Sequence, residues 1–265
     1  MDPQSFDEAS LYPEFKDGIA LVVGGSGGIG AAISTTLARL GANVAITYRS
    51  RKAHADAVAE EVKATGRTVE VMQLDIEDAD ATRAAVDALV AKYGRLHSVV
   101  YAAGPSLEFL YINEIAPSEW ARVINGDVNG CFNLISAVLP HLREQRGGSI
   151  VGLTTAAADR SPPRDILSAA PKAAIQMLLR GVAREEGRSG IRVNCVGPGY
   201  TEAGLGLTTV HDHTADYVER MVRAIPLRRA GQAQDVANVV AFLLSDKASY
   251  VTGVSIPVAG GLHLA

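Results

Sequence analysis

Between residues 23 and 30 the chain reads Val23-Gly24-Gly25-Ser26-Gly27-Gly28-Ile29-Gly30, five glycines in eight positions, between an apolar run and a segment with helical periodicity. Glycines let a backbone turn tightly and approach a pyrophosphate, and the first turn of a helix adds unpaired N–H groups at the positive end of its dipole. Gly24, Ser26, Gly27, Gly28, Ile29 and Gly30 are therefore candidate phosphate-binding residues of a dinucleotide site. The next apolar run ends in Thr47-Tyr48-Arg49-Ser50-Arg51-Lys52, with three cations and no acid. An acid at that place reads the ribose 2′-hydroxyl of NAD, whereas a cation accommodates a 2′-phosphate. The predicted cofactor is NADP(H), with Tyr48, Arg49 and Ser50 around its adenosine ribose; the other reading of the cations is a solvated start to the next helix. Asp75 and Ile76 end the third apolar run, where the carboxylate either meets an adenine edge or caps a helix.

These residues need a frame that brings them together. Seven short apolar runs, Ile19–Val23, Val44–Thr47, Val69–Leu74, Ser98–Ala102, Ser149–Leu153, Arg192–Val196 and Val254–Pro257, read as buried strands. Between them Ile29–Leu40, Ala53–Thr65, Ala79–Tyr93, Ser118–Arg143, Ser168–Arg188 and Gln234–Leu244 carry apolar residues at helical spacing. Strand and helix in alternation require right-handed crossovers and a parallel sheet covered on both faces. The expected fold is α/β, a doubly wound, Rossmann-like parallel sheet in a single domain over residues 18–265, after an N-terminal extension at 1–17.

Composition agrees with a globular domain: 265 residues, 48% hydrophobic and 20% charged, enough to bury a substantial core. The net charge of 25 − 29 = −4 argues against nucleic acid or an anionic membrane as partner. No run reaches the roughly 18 apolar residues of a spanning helix. The acidic N-terminus (Asp2, Asp7, Glu8, Glu14, Asp17) has no signal-peptide core, which points to the cytoplasm. Cys131 and Cys195 cannot by themselves make a disulfide framework or a metal site, and no metal is expected. His211 and His213 flank Asp212 in an insert at about 202–224 that reads as a solvated substrate lid, since a metal site needs further ligands.

From about Asp17 onward the sequence resembles the short-chain dehydrogenase/reductase family. Gly24-x-x-x-Gly28-Ile29-Gly30 matches its TGxxxGxG turn, with Val23 for Thr, and Asp75 matches its acid after the third strand. Tyr101-Ala102-Ala103-Gly104 stands where the family has NNAG, and Ile191-Arg192-Val193-Asn194 running on to Pro198-Gly199 resembles its IRVNxxxPG. Pro226-Leu227-Arg228-Arg229 and Thr252-Gly253, with Val258-Ala259-Gly260-Gly261, are similar to its PLxR and TGxxxxVDGG, with Ala259 for Asp. The resemblance implies that Ala102, Ala103, Gly104, Pro198, Gly199, Tyr200 and Thr201 also line the cofactor site. It further implies a homo-oligomer, a tetramer or dimer, built through the long helices at Ser118–Arg143 and Ser168–Arg188 and the last strand.

The active-site positions depart from that family. Its members usually carry Tyr and Lys four residues apart on one helix face; here the pair is Ser168 and Lys172. The family's catalytic serine falls on Thr155 and its asparagine on Asp127. Tyr12 and Tyr48 each precede a lysine by four residues, but outside the required helix. Enoyl-thioester reductases of the family place their tyrosine seven residues before the lysine, which here is Asp165; dienoyl-CoA reductases place theirs fifteen before, which is Ala157. A serine hydroxyl is far less acidic than a phenol, whose reference pKa is about 10.

Lys172 is still expected to bind ribose hydroxyls, and the two carboxylates take up acid–base work. Asp165, in an apolar pocket, is read as the general acid; its other readings are a pair with Arg164 or a helix cap. Asp127 is read as the charged partner of Lys172, for catalysis or as a structural ion pair. Tyr101, Tyr111 and Tyr200 are placed at strand-end loops, as packing, substrate contact or proton donors. Three functions follow from these residues. The first is an NADP(H)-dependent oxidoreductase reducing a small lipophilic enone, enoyl or carbonyl substrate with unusual proton delivery. The second is a non-redox cyclase or isomerase that keeps the cofactor, and the third an inactive binding protein.

Overall fold

The computed structural model describes residues 15, 17–158, 162–203 and 215–264. A seven-stranded parallel sheet runs in the order β3-β2-β1-β4-β5-β6-β7, with β1 Ile19–Val23, β2 Val44–Tyr48, β3 Val69–Gln73, β4 Leu96–Tyr101, β5 Gly148–Leu153, β6 Ile191–Pro198 and β7 Ser255–Val258. The helices are α1 Gly28–Arg39, α2 Lys52–Lys63, α3 Ala79–Tyr93, α4 Pro117–Ile124, α5 Gly130–Glu144, α6 Ile166–Glu186, α7 Ala215–Ala224 and α8 Ala233–Leu244. Among the described residues no helix is long and apolar enough to cross a membrane. This is the doubly wound sheet expected from the alternation of short apolar runs and helical segments.

The central strands β1 and β4 are buried along their whole length, which is why β1 reads as a continuous apolar run rather than an alternating one. Each face of the sheet has its own core. Leu21, Val99, Leu134, Ile150 and Ile175 pack with α3, α5 and α6 on one side; Ala20, Ile33, Leu37, Val44 and Val240 pack with α1, α2 and α8 on the other. Local signals set the helix ends. Asp78 caps α3 by accepting from the Ala81 N–H at 2.9 Å, and Gly94, left-handed at φ 73°, stops it.

The strand order reverses between β1 and β4, and in such sheets the crevice at the carboxyl ends of those strands is where ligands bind. Three expectations are corrected or fall outside what is described. The single helix expected at Ser118–Arg143 is two helices, α4 and α5, joined by a π-helical turn at Asn125–Asn129. The insert at 202–224 contains helix α7, while His211 and His213 lie outside the described residues, as does nearly all of the extension at 1–17.

Candidate active site

A single cleft of about 1920 Å³ opens at the carboxyl ends of the strands. That exceeds the roughly 300–1,000 Å³ usual for one small ligand, so a dinucleotide and a substrate fit together. Its first wall is backbone. The β1–α1 turn carries Gly24 at φ +80°, and a Cβ there would stand 2.7 Å from the Ala102 carbonyl oxygen. A Cβ on Gly30 would stand 2.2 Å from the Gly24 oxygen. The Gly24 N–H is tied back to Thr47 Oγ1 at 3.0 Å, and no side chain caps the N-terminus of α1 at Gly27. An uncapped helix start under a turn that excludes Cβ atoms fits a pyrophosphate.

The predicted cofactor residues from Gly24 to Gly30, with Tyr48, Arg49, Ser50, Asp75, Ile76, Ala102, Ala103, Gly104 and Pro198 to Thr201, all lie along this cleft. Asp75 does not cap α3. Its Oδ1 accepts from the Glu77 N–H at 3.1 Å and shapes the turn before the helix. Arg49 stands 3.6 Å from Glu77, both well exposed, and Arg51 joins it on the wall while Lys52 pairs instead with Asp56 at 2.8 Å.

The facing wall is made of side chains from the end of β5, the segments that follow it and α6. Ser168 and Lys172, one helical turn apart on α6, both reach the cleft. Lys172 Nζ donates to Asp127 Oδ1 at 2.8 Å and to the Ala103 carbonyl at 3.2 Å. Asp127 lies beneath it, 2% exposed, and does not itself line the cleft. The π-helical turn swings Asp127 inward from a helix otherwise packed on the sheet, and such turns recur at functional sites.

Asp165 stands at the start of α6 without capping it by its side chain, and no ion pair joins it to Arg164 among the described residues. Arg164 instead lies over the Tyr111 ring, 5.7 Å from its centre. Burial pushes the Asp165 carboxyl up to about 6, against a smaller opposing effect from its hydrogen bond with the Ser168 side chain. Thr155 follows β5 and accepts from the Ala157 N–H at 3.1 Å, which leaves its hydroxyl proton free to donate into the cleft. Four of the five candidate catalytic residues, Thr155, Asp165, Ser168 and Lys172, thus share one wall, with Asp127 behind it.

Comparison with known proteins places this arrangement. The family described as Enoyl-(Acyl carrier protein) reductase matches residues 23–263. The 3-oxoacyl-[acyl-carrier-protein] reductase FabG of Staphylococcus aureus is 38% identical over 246 residues, 92% of this chain and 98% of its own. A short-chain type dehydrogenase/reductase from Mycobacterium ulcerans superposes with a TM-score of 0.89 at 33% identity, over 95% of this chain and 92% of that one. Levodione reductase gives 0.90 at 29%, over 95% and 100%.

The chain belongs to the short-chain dehydrogenase/reductase family. It is an oxidoreductase of that family, whose fold binds a nicotinamide cofactor and small-molecule substrates.

Sequence reasoning misplaced one tyrosine of this short-chain dehydrogenase/reductase. Tyr101 is not in a strand-end loop but is the last residue of β4, fully buried, and its hydroxyl donates to Asp127 Oδ1 at 2.8 Å or its carbonyl at 2.9 Å. Burial and the Asp127 carboxylate hold the phenol well above its ordinary pKa, so it is a buried support rather than a proton donor. Lys172 lies over the same ring, 5.2 Å from its centre. Tyr111 and Tyr200 do line the cleft. Reasoning from sequence also left out Phe109, Met221 and His263 on the cleft wall; no spacing rule points to them, because each comes from a separate segment. Both cysteines are buried, with thiols pushed up to about 12, and take no part.

Proposed function

We propose that this short-chain dehydrogenase/reductase is an NADP(H)-dependent reductase of a polarised C=C bond, of the enoyl-thioester or enone type, with Asp165 as proton donor. The observation that carries the reading is Asp165 itself. Its carboxyl is raised to about 6 in the cleft wall beside Ser168, at the position where the resemblance puts the tyrosine of enoyl-thioester reductases. The nicotinamide ring, when bound, supplies the hydride. Lys172, locked by Asp127 and the Ala103 carbonyl, is placed to bind ribose hydroxyls. Arg49 and Arg51, with no acid among the residues that end β2, support a 2′-phosphate.

Asp165 holds its proton at the carboxyl oxygen through burial, and Thr155 offers a hydroxyl toward a substrate oxygen. Reduction of a conjugated C=C bond leaves charge on an enolate oxygen, a much weaker base than an alkoxide, and an acid of pKa about 6 suffices for it. The second reading, reduction of a 3-oxoacyl carbonyl, has the name of the 38% identical relatives in its favour.

Nicotinamide absorbance followed across enoyl thioesters, enones and 3-oxoacyl thioesters decides between them. Turnover of the C=C substrates with NADPH well ahead of NADH is expected; turnover of 3-oxoacyl substrates alone overturns the assignment. We further propose a cytoplasmic homo-oligomer associating through α5 and α6, whose outer faces expose Phe132 (56%) and Met177 (64%). Light scattering of the purified chain tests it, and a monomer refutes it.

A further inference from the structure

At the opposite end of the sheet, away from the cleft, lies a second cavity of about 140 Å³. It sits where β4, β5 and β6 begin and α8 ends, and Arg95, His97, Arg146 and Arg192 contribute to its walls. Three arginines around so small a space are conspicuous in a chain of net charge −4. Arg192 is already engaged: its guanidinium donates to the Leu243 carbonyl at 2.6 Å and the Ser245 carbonyl at 3.0 Å, at the end of α8. Asp246, the acid on the rim, acts on Arg192 as well. Among the described residues, no ion pair or hydrogen bond engages the guanidinium groups of Arg95 or Arg146.

Two nitrogens in these walls, Arg95 Nε and His97 Nε2, are buried with no hydrogen-bond partner. His97 is 7% exposed, its ring stacks on Phe15 at 5.4 Å, and its Nδ1 meets Ser98 Oγ at 2.9 Å. In the tautomer where the Ser98 hydroxyl donates to Nδ1, Nε2 carries the proton and is a donor without an acceptor. Buried donors in folded proteins are nearly always paired, and two in one cavity mark a missing acceptor. A guanidinium fork suits an oxyanion. The volume equals about four or five waters at roughly 30 Å³ each, which admits one tetrahedral oxyanion and excludes a nucleotide.

We propose that this cavity is a second binding site, for an oxyanion of the phosphate class, held by Arg95, Arg146 and His97 Nε2. The same chemistry serves the free ion and the terminal phosphoryl group of a small monoester. Binding is linked to protonation. Burial, then the charge of Arg95, hold His97 down at about 4, and an anion among Arg95, Arg146, Arg192 and Asp246 raises it again.

The His97 ring resonances of the full chain, assigned with His97→Gln, provide a readout confined to this cavity, whatever the main cleft binds. They are followed by NMR while inorganic phosphate, glycerol 3-phosphate or chloride is added at matched ionic strength. Phosphate is expected to shift them saturably and to raise the His97 titration by about one pH unit or more. A matching response to glycerol 3-phosphate supports the monoester, and a response to the free ion alone supports phosphate itself. Arg146→Gly removes the guanidinium and suits the left-handed backbone at φ 51°; it and Arg95→Gln are each expected to weaken binding at least tenfold. An equal response to chloride, or titrations in both variants like that of the unmodified protein, overturns the site.

Discussion

The glycine turn and the Asp165–Lys172 wall border one cleft but recognise by different means. In the turn, function lies in what is missing: Gly24 and Gly30 leave no room for a Cβ, and bare N–H groups face the cleft from α1. On the other wall, function lies in side chains whose properties are set by their neighbours. Asp165 is an unusual acid because it is half-buried and desolvated at the cleft wall, and Lys172 is held by hydrogen bonds to Asp127 and the Ala103 carbonyl. Backbone recognition therefore persists while surrounding residues change. Side-chain chemistry shifts with each substitution, and on this wall the proposed proton donor is a carboxyl, Asp165.

The sharpest way to break this contrast is Asp165→Asn. It keeps the size of the side chain and removes the proton, so kcat/KM is expected to fall about 10²–10⁴-fold with NADPH affinity unchanged by calorimetry; retained activity puts the acid elsewhere. Next in size, Asp127→Ala leaves the Lys172 ammonium, with a side chain only 13% exposed, without its charge partner, and strips the Tyr101 hydroxyl of an acceptor. A loss of about 3 kcal/mol in urea unfolding is expected, and a loss below about 1 kcal/mol would reduce the pair to a passive contact.

Gly30→Ala tests the backbone wall alone. The Cβ, 2.2 Å from the Gly24 oxygen, forces the turn apart at about 1–3 kcal/mol, weakening cofactor binding about tenfold or more while the Asp165 titration stays in place. The pH dependence separates the walls again. The folded-state pKa of Asp165, about 6, lies above its ordinary 3.8, so the folded chain binds this proton more tightly than the unfolded one. Its contribution to stability is fullest below about pH 4 and declines as pH rises through 6. Reductive kcat/KM is expected to fall above about pH 6, and Asp165→Asn abolishes both dependences. The smallest effect is expected from Arg49→Ala, since Arg49 is 58% exposed and pairs with Glu77. NADPH is expected to lose about tenfold against NADH, the low end for a charged hydrogen bond; an unchanged ratio moves the 2′-phosphate contact to Arg51.

The frame was legible because its signals are local. Burial on both faces makes β1 an apolar run, so it was found to the residue and the other strands to within two. The glycine turn was legible for the same reason, a backbone need written in adjacent positions. The break in the helix at Asn125–Asn129 was not, because a π-helical turn of five residues keeps the chain helical and has no proline to mark it. Tyr101 was misread because its place at the end of β4 said nothing of what lay 26 residues on at Asp127.

The sequence by itself determined the doubly wound sheet, the glycine turn, the cations ending β2 and the placing of Ser168 four residues before Lys172. Only the tertiary structure decided what the two carboxylates are. Asp127 became the buried anchor of Lys172 and Tyr101, and Asp165 a carboxyl raised to about 6. The physical reason is that strands, helices and turns answer to neighbours along the chain, whereas acidity answers to desolvation and to charges brought close by folding.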